Sequence, residues 1–145
     1  MTTTEAGDCN APKIALRQVA ARRASDDGLW CIRWRVENSS RHLIQLASVR
    51  FPHGQFKSSE LRFDSVIGLD FGEHAEFEAS VACVAEPGAI VENAFSIFSA
   101  VWRDQPWRIF VRLRVVVDLE GKPTAISESI TTQQVGFSTA AETEG

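Results

Sequence analysis

The 145-residue sequence contains no tyrosine, only three cysteines and three lysines, and no apolar run near the ~18 residues a membrane-crossing helix requires. A spanning helix is therefore excluded, and no membrane role is expected. Without tyrosine there is no tyrosine corner of the kind found in many immunoglobulin domains. Cys9, Cys31 and Cys83 show no C-x-x-C spacing, so neither a zinc site nor a redox pair is expected. A reducing, cytoplasmic setting is the simplest expectation from so sparse a set. The opening Met1 to Asp8 lacks the basic and apolar regions of a secretory leader, so none is expected.

Other absences narrow the chemistry. The glycines stand singly in turns, which leaves no phosphate cradle. His42, His53 and His74 lie near turns without a partner at i+2 or i+4, so they read as surface or turn histidines rather than metal ligands. Glu73, Glu76 and Glu78 recur as a solvated ladder rather than converging from several strand ends, as paired catalytic acids do. Cys31 has Arg33 and Arg35 nearby but no base in its own run. No enzyme activity, metal or cofactor is expected.

What remains is a balance of 44% hydrophobic and 23% charged residues, that of a single soluble globular domain. Residues 1–11 and 138–145 are rich in Thr, Ala, Gly and Glu without apolar periodicity and are expected to be disordered tails. The domain is expected over 12–137, from Pro12 to Phe137, with no internal repeat or linker.

Within it the apolar period is two. Leu29 to Asn38 is the clearest strand: Trp30, Ile32, Trp34 and Val36 face one way, Cys31, Arg33, Arg35 and Glu37 the other. Lys13 to Arg22 reads as a strand before it. His42 to Phe51 changes parity in the middle, which a bulge near Ala47 and Ser48 would reconcile. Gln55 to Phe63 is more polar and suits a sheet edge. His74 to Val84 alternates again, Ala89 to Arg103 and Trp107 to Asp118 form a long hairpin, and Thr124 to Phe137 is extended. No helical stripe is present. The pattern predicts an all-β fold: an antiparallel immunoglobulin-like β-sandwich of seven to eight strands, with a small closed β-barrel as the alternative.

The hairpin is the most informative segment. A four-residue loop, Arg103 to Pro106, would set Trp102 opposite Trp107, Ala100 opposite Ile109, Phe98 opposite Val111 and Ser96 opposite Leu113, a sensible core face. The other face then carries Phe95, Ile97, Val101 and Phe110 with Arg108, Arg112 and Arg114, unlike an ordinary solvated surface. Either the C-terminal segment Ile126 to Phe137 or the arginine stems themselves cover these groups, or the face docks a protein partner or a second copy, since aromatics and arginine are enriched in interface hot spots. The arginine preference, twelve against three lysines, suits stacking and bidentate pairing.

The net charge of −4 argues mildly against nucleic-acid binding. Its distribution is more telling, since Glu5, Asp8, Glu142 and Glu144 account for all of it. Residues 12–59 hold nine basic and three acidic side chains, residues 60–92 one basic and eight acidic. An order placing the Trp30 strand beside the Phe77 strand would pair Arg33 and Arg35 with Glu76 and Glu78, leaving Arg108, Arg112 and Arg114 without an evident acidic ladder. The expected function is a non-catalytic interaction or accessory domain acting through that Arg/aromatic face. The alternative is a small carrier holding an apolar ligand in an interior lined by Trp30, Trp34, Phe77 and Trp107.

Overall fold

Alternation of apolar and polar residues becomes eight antiparallel strands in the computed structural model, which describes residues 10–24 and 28–135. They are β1 (Ile14–Arg23), β2 (Leu29–Asn38), β3 (Ile44–His53), β4 (Phe56–Leu69), β5 (His74–Cys83), β6 (Ile90–Trp102), β7 (Gln105–Val117) and β8 (Pro123–Gln134). The expected tails, beyond residues 10 and 11, and the domain end at Phe137 lie outside the described residues. All eight strands belong to one sheet of order β1-β2-β5-β4-β3-β6-β7-β8. The all-β reading and the strand count hold. Because β3 and β4 are hydrogen-bonded to each other, the sheet does not part into two layers as a sandwich does. It rolls up instead, nearer to the closed barrel.

The roll nearly closes where β1 meets β8. The Gln18 side chain spans this seam, accepting from the Ala125 N–H at 2.8 Å and donating to the Pro123 carbonyl at 3.0 Å. Ser127 Oγ donates to the Leu16 carbonyl at 2.6 Å. A second weak line separates β4 from β5, which pair only through Phe56–Cys83 and Lys57–Ala82. The polar β4, expected at an edge, stands inside the strand order, yet most of its length has no partner on the β5 side. Four of its residues, from Phe63 to Val66, face Ala47 alone, which throws this part of β4 outward. Phe63 fills the opening by packing edge-on against Phe77, which in turn meets Phe98.

Inward residues form one continuous core. Trp34 stacks on Phe51 with ring centres 5.2 Å apart, and Phe56 sets its ring edge to face with both. Each such buried ring or aliphatic chain contributes roughly 1.5–3 kcal/mol through removal from water. The expected bulge in β3 lies between Leu46 and Ser48 against both neighbours, so Leu46 and Val49 both point inward despite their opposite parity. The turn into β2 needs glycine: Gly28 has φ of 79°, and a Cβ there would stand 3.0 Å from the Cys83 carbonyl oxygen.

The β2–β5 register pairs Arg33 with Glu78 and Arg35 with Glu76, as the charge pattern implied. Arg35 reaches Glu76 at 2.9 Å, and Glu78 is shared by Arg33 and Arg22.

The β6–β7 hairpin differs from its expected register. Its turn is Arg103–Asp104 alone, both residues in the left-handed region with φ of 53° and 64°. This is the backbone of a tight two-residue hairpin turn whose twist matches the flanking strands. Trp102 therefore faces Gln105, Ala100 faces Trp107, Phe98 faces Ile109 and Ser96 faces Val111. A slip of two residues returns every side chain to its own face, so the division into core face and outer face survives the correction.

Candidate interaction face

The corrected register fixes what lies beside what on the outer side of β3, β6, β7 and β8. Ile97 on β6 stands directly opposite Phe110 on β7, with Arg50 of β3 beyond Ile97 and Thr131 of β8 beyond Phe110. Strand alternation puts Arg108 and Arg112 on either side of Phe110, and Phe95 beside Ile97. The result is an apolar pair bordered by three guanidinium groups. Phe95, Ile97 and Phe110 are half-buried, Arg108 and Arg112 exposed. Every strand is taken up in the sheet, so among the described residues no other element lies over this face. The C-terminal strand, expected as a possible cover, lies beside β7 as its hydrogen-bonded neighbour.

The electrostatics correct one expectation and preserve another. Arg112 meets Glu128 at 3.5 Å, and Arg114 meets Glu92 at 3.3 Å, so these two arginines do have acidic partners. Glu128 reaches Arg112 because the β7–β8 ladder shifts register there, pairing Arg112 with Ser129 but Leu113 with Ser127. Glu92 belongs to an irregularity of β6 beside Asn93, whose φ is 60°. Neither irregularity carries a sequence signal. Arg108 has no ion pair among the described residues. Nor does Arg50, which sequence reasoning missed: the bulge in β3 is what turns Arg50 toward Ile97.

Val101 sits farther along the same strand, 39% exposed, at the tip of the hairpin. It lines a surface depression of about 250 Å³ together with His42, Leu43, Gln45, Arg103 and Asp104. Val101 is thus separate from the Ile97–Phe110 pair. The seven residues singled out in the sequence share one face, but only Phe95, Ile97, Arg108, Phe110 and Arg112 form its centre.

Cys9 lies outside the described residues, and among these Cys31 and Cys83 do not pair. Cys83 is buried and Cys31 half-exposed on the opposite side of the sheet. Burial pushes the Cys31 thiol up, and its hydrogen bond to Glu78 at 3.4 Å and that carboxylate's charge act the same way, against Arg22 and Arg33. Such a thiol is poorly placed to ionise. Trp30, Trp34 and Phe77, three of the four residues considered as a ligand-lined interior, are packed into the core, and Trp107 stands half-buried at one end of the barrel. Among the described residues no group of three or more His, Cys, Asp and Glu side chains converges to hold a metal ion, and no helix is long and apolar enough to cross a membrane.

No protein-family model matches the sequence, and no curated protein is similar to it. Among solved structures, a protein from Bordetella pertussis provisionally named ApaA is similar at 15% identity over 84% of this chain and 89% of that one, with a TM-score of 0.30. A second structural-genomics target is similar at 9% identity over 84% of this chain and 83% of its own, with a TM-score of 0.28. These superpositions are loose, and the functional reading rests on the residues of this chain.

Proposed function

We propose that this chain is a non-catalytic interaction domain that holds a protein partner on the outer face of β6 and β7. The observation that carries this reading is the Ile97–Phe110 pair, set on a sheet face that no other described element covers and bordered by Arg50, Arg108 and Arg112. Half-buried apolar groups ringed by arginines are the composition of an interface centre, where the arginine stems add contact area and the guanidinium groups add direction. Among the described residues Arg50 and Arg108 have no carboxylate of their own, so charge complementarity favours a partner segment that places acidic side chains around an apolar anchor. A reducing cytoplasmic setting suits two unpaired thiols on opposite sides of the sheet.

A display library of extended peptides tests the reading. Enrichment of acidic segments with one aliphatic or aromatic anchor is expected, and Phe110→Ser combined with Arg108→Glu should weaken the selected peptides by at least about 30-fold, the scale of a hot-spot loss, with the melting temperature little changed. Selection without acidic preference, or undiminished binding to the double variant, would overturn it. Light scattering covers the remaining case. A wild-type dimer that the double variant abolishes would mean that a second copy occupies the face instead.

A further inference from the structure

The strand β5 has one edge that the sheet leaves unused over most of its length. At its start the Asn38 N–H donates to the Glu73 carbonyl at 2.9 Å, and at its end the Cys83 N–H donates to the Gly28 carbonyl at 2.9 Å. Between these points the β2–β5 register runs without a shift. Odd-numbered residues of β5 therefore turn their backbone groups toward β2, and even-numbered ones turn theirs the other way. On that other side Ala82 pairs with Lys57, and the Val84 N–H donates to the Gln55 carbonyl at 3.2 Å. There the pairing stops. Among the described residues no strand runs beside Glu76, Glu78 and Ser80, whose N–H and C=O groups point to where β4 is thrown outward. All three residues are exposed. Sheet edges are commonly guarded by lysine, proline or a bulge, and from His74 to Cys83 the strand offers none of these.

The charge beside this edge decides what fits it. Glu76 and Glu78 alternate along its outer face, held from the far side by Arg35, Arg33 and Arg22. On β4 the exposed Asp64, next to Phe63, has no ion pair among the described residues. A second copy paired edge to edge would set glutamate against glutamate, which is destabilising. We propose that the free edge of β5 takes up an extended basic segment of a partner protein as an added antiparallel strand. Backbone bonds to Glu76, Glu78 and Ser80 supply the attachment. Lysine or arginine opposite the two glutamates continues the charge ladder that β2 begins, with Asp64 as a further carboxylate. The alternate residues, turned inward, meet the Phe63–Phe77 ring pair. This edge is distinct from the Ile97–Phe110 face and stands or falls independently of it.

The test uses the full ¹⁵N-labelled chain and, as probe, an octapeptide of alternating lysine and valine. In the free chain the amides of Glu76, Glu78 and Ser80 should exchange with solvent at least about 100-fold faster than those of Phe77 and Ala79. The peptide should protect them, with a dissociation constant of the order of 0.1 mM. In an antiparallel pairing the lysines stand opposite the glutamates, so the lysine N–H groups are the ones that face β5. Methylating the lysine backbone nitrogens should weaken binding at least about tenfold, whereas methylating the valine nitrogens should leave it within about twofold. Glutamate in place of lysine should also cost at least about tenfold. Ser80→Pro removes one donor from the free edge and no bond of the β2 ladder, so affinity should fall several-fold at a little-changed melting temperature. If that variant folds poorly, the methylated peptides keep the test valid. Slow exchange of Glu76, Glu78 and Ser80 in the free chain, binding indifferent to lysine methylation, equal affinity for the glutamate peptide, or a wild-type dimer that Ser80→Pro abolishes would each overturn the proposal.

Discussion

Gln18 and Ala125 are hydrogen-bonded at 2.8 Å across the line where the first and last strands meet, side-chain oxygen to backbone N–H. Elsewhere in the sheet backbone bonds backbone. Here one amide side chain, facing inward like Ile14 and Leu16, serves two backbone groups of β8 that would otherwise lack partners. Removing it leaves a part-buried donor and acceptor unsatisfied, at about 1–3 kcal/mol. Gln18→Ala should therefore lower the unfolding free energy by about 1–3 kcal/mol, read as a lower urea midpoint, and hydrogen exchange at the Ala125 amide should accelerate. An unchanged midpoint would mean that solvent serves the seam equally well.

Ser96 points into the core, and among the described residues its hydroxyl has no hydrogen-bond partner. Burying an unpaired hydroxyl costs about 1–3 kcal/mol on protein scales, so Ser96→Ala should be neutral or raise stability by up to about 1 kcal/mol. A loss above about 1 kcal/mol in a chemical melt would instead reveal a buried water held by this group.

The Arg103–Asp104 turn holds two side-chain-bearing residues at positive φ, where asparagine and glycine are at ease. The double change Arg103→Asn with Asp104→Gly should raise the thermal midpoint, with a gain of about 1 kcal/mol or more from relieved strain. An equal or lower midpoint would show that the two native side chains stabilise the tip by contacts of their own.

Burial pushes the Cys83 thiol above its ordinary value of 9.0, and a hydrogen bond with the Ala85 backbone opposes the shift. The folded chain thus keeps its proton to higher pH than the unfolded one. The stability linked to this group is fully present below about pH 9 and is lost as pH rises through the folded value. Under reducing conditions, the urea midpoint of the wild type should fall further between about pH 8 and pH 10 than that of Cys83→Ala. Parallel falls would remove Cys83 from the account.

Strand positions were legible where alternation was strict and turn residues stood at both ends. Leu29 to Asn38 was read to the residue because Trp30, Ile32, Trp34 and Val36 alternate without interruption and Gly28 precedes them. The β3 bulge was legible because Leu46 and Val49 cannot otherwise both face inward. The hairpin turn was not, since Arg-Asp carries no turn signature while Pro106 does. The proline belongs to the strand, and because β8 first pairs with β7 at Trp107, its missing N–H costs no ladder bond. The outer face was recognisable from parity alone, whereas the ion pairs of Arg112 and Arg114 depend on local irregularities of β8 and β6 that composition does not announce. The choice between sandwich and rolled sheet rested on whether β3 and β4 stay bonded, a long-range fact absent from local pattern.

The two weak lines in the sheet, β1 against β8 and β4 against β5, divide its ladders into a block of β1, β2 and β5 and a block of β4, β3, β6, β7 and β8. The chain passes from one block to the other after β2, after β4 and after β5. The smaller block is therefore assembled from two separated stretches, 14–38 and 74–83, and the larger one likewise is interrupted by β5. Neither can be excised as a continuous fragment, and a cut after β3 or after β4 leaves the two pieces interleaved in the sheet. Assembly must wait for distant stretches to meet before either block gains its contacts, which slows folding relative to chains whose neighbours in space are neighbours in sequence. The same threading makes the finished barrel hard to dismember.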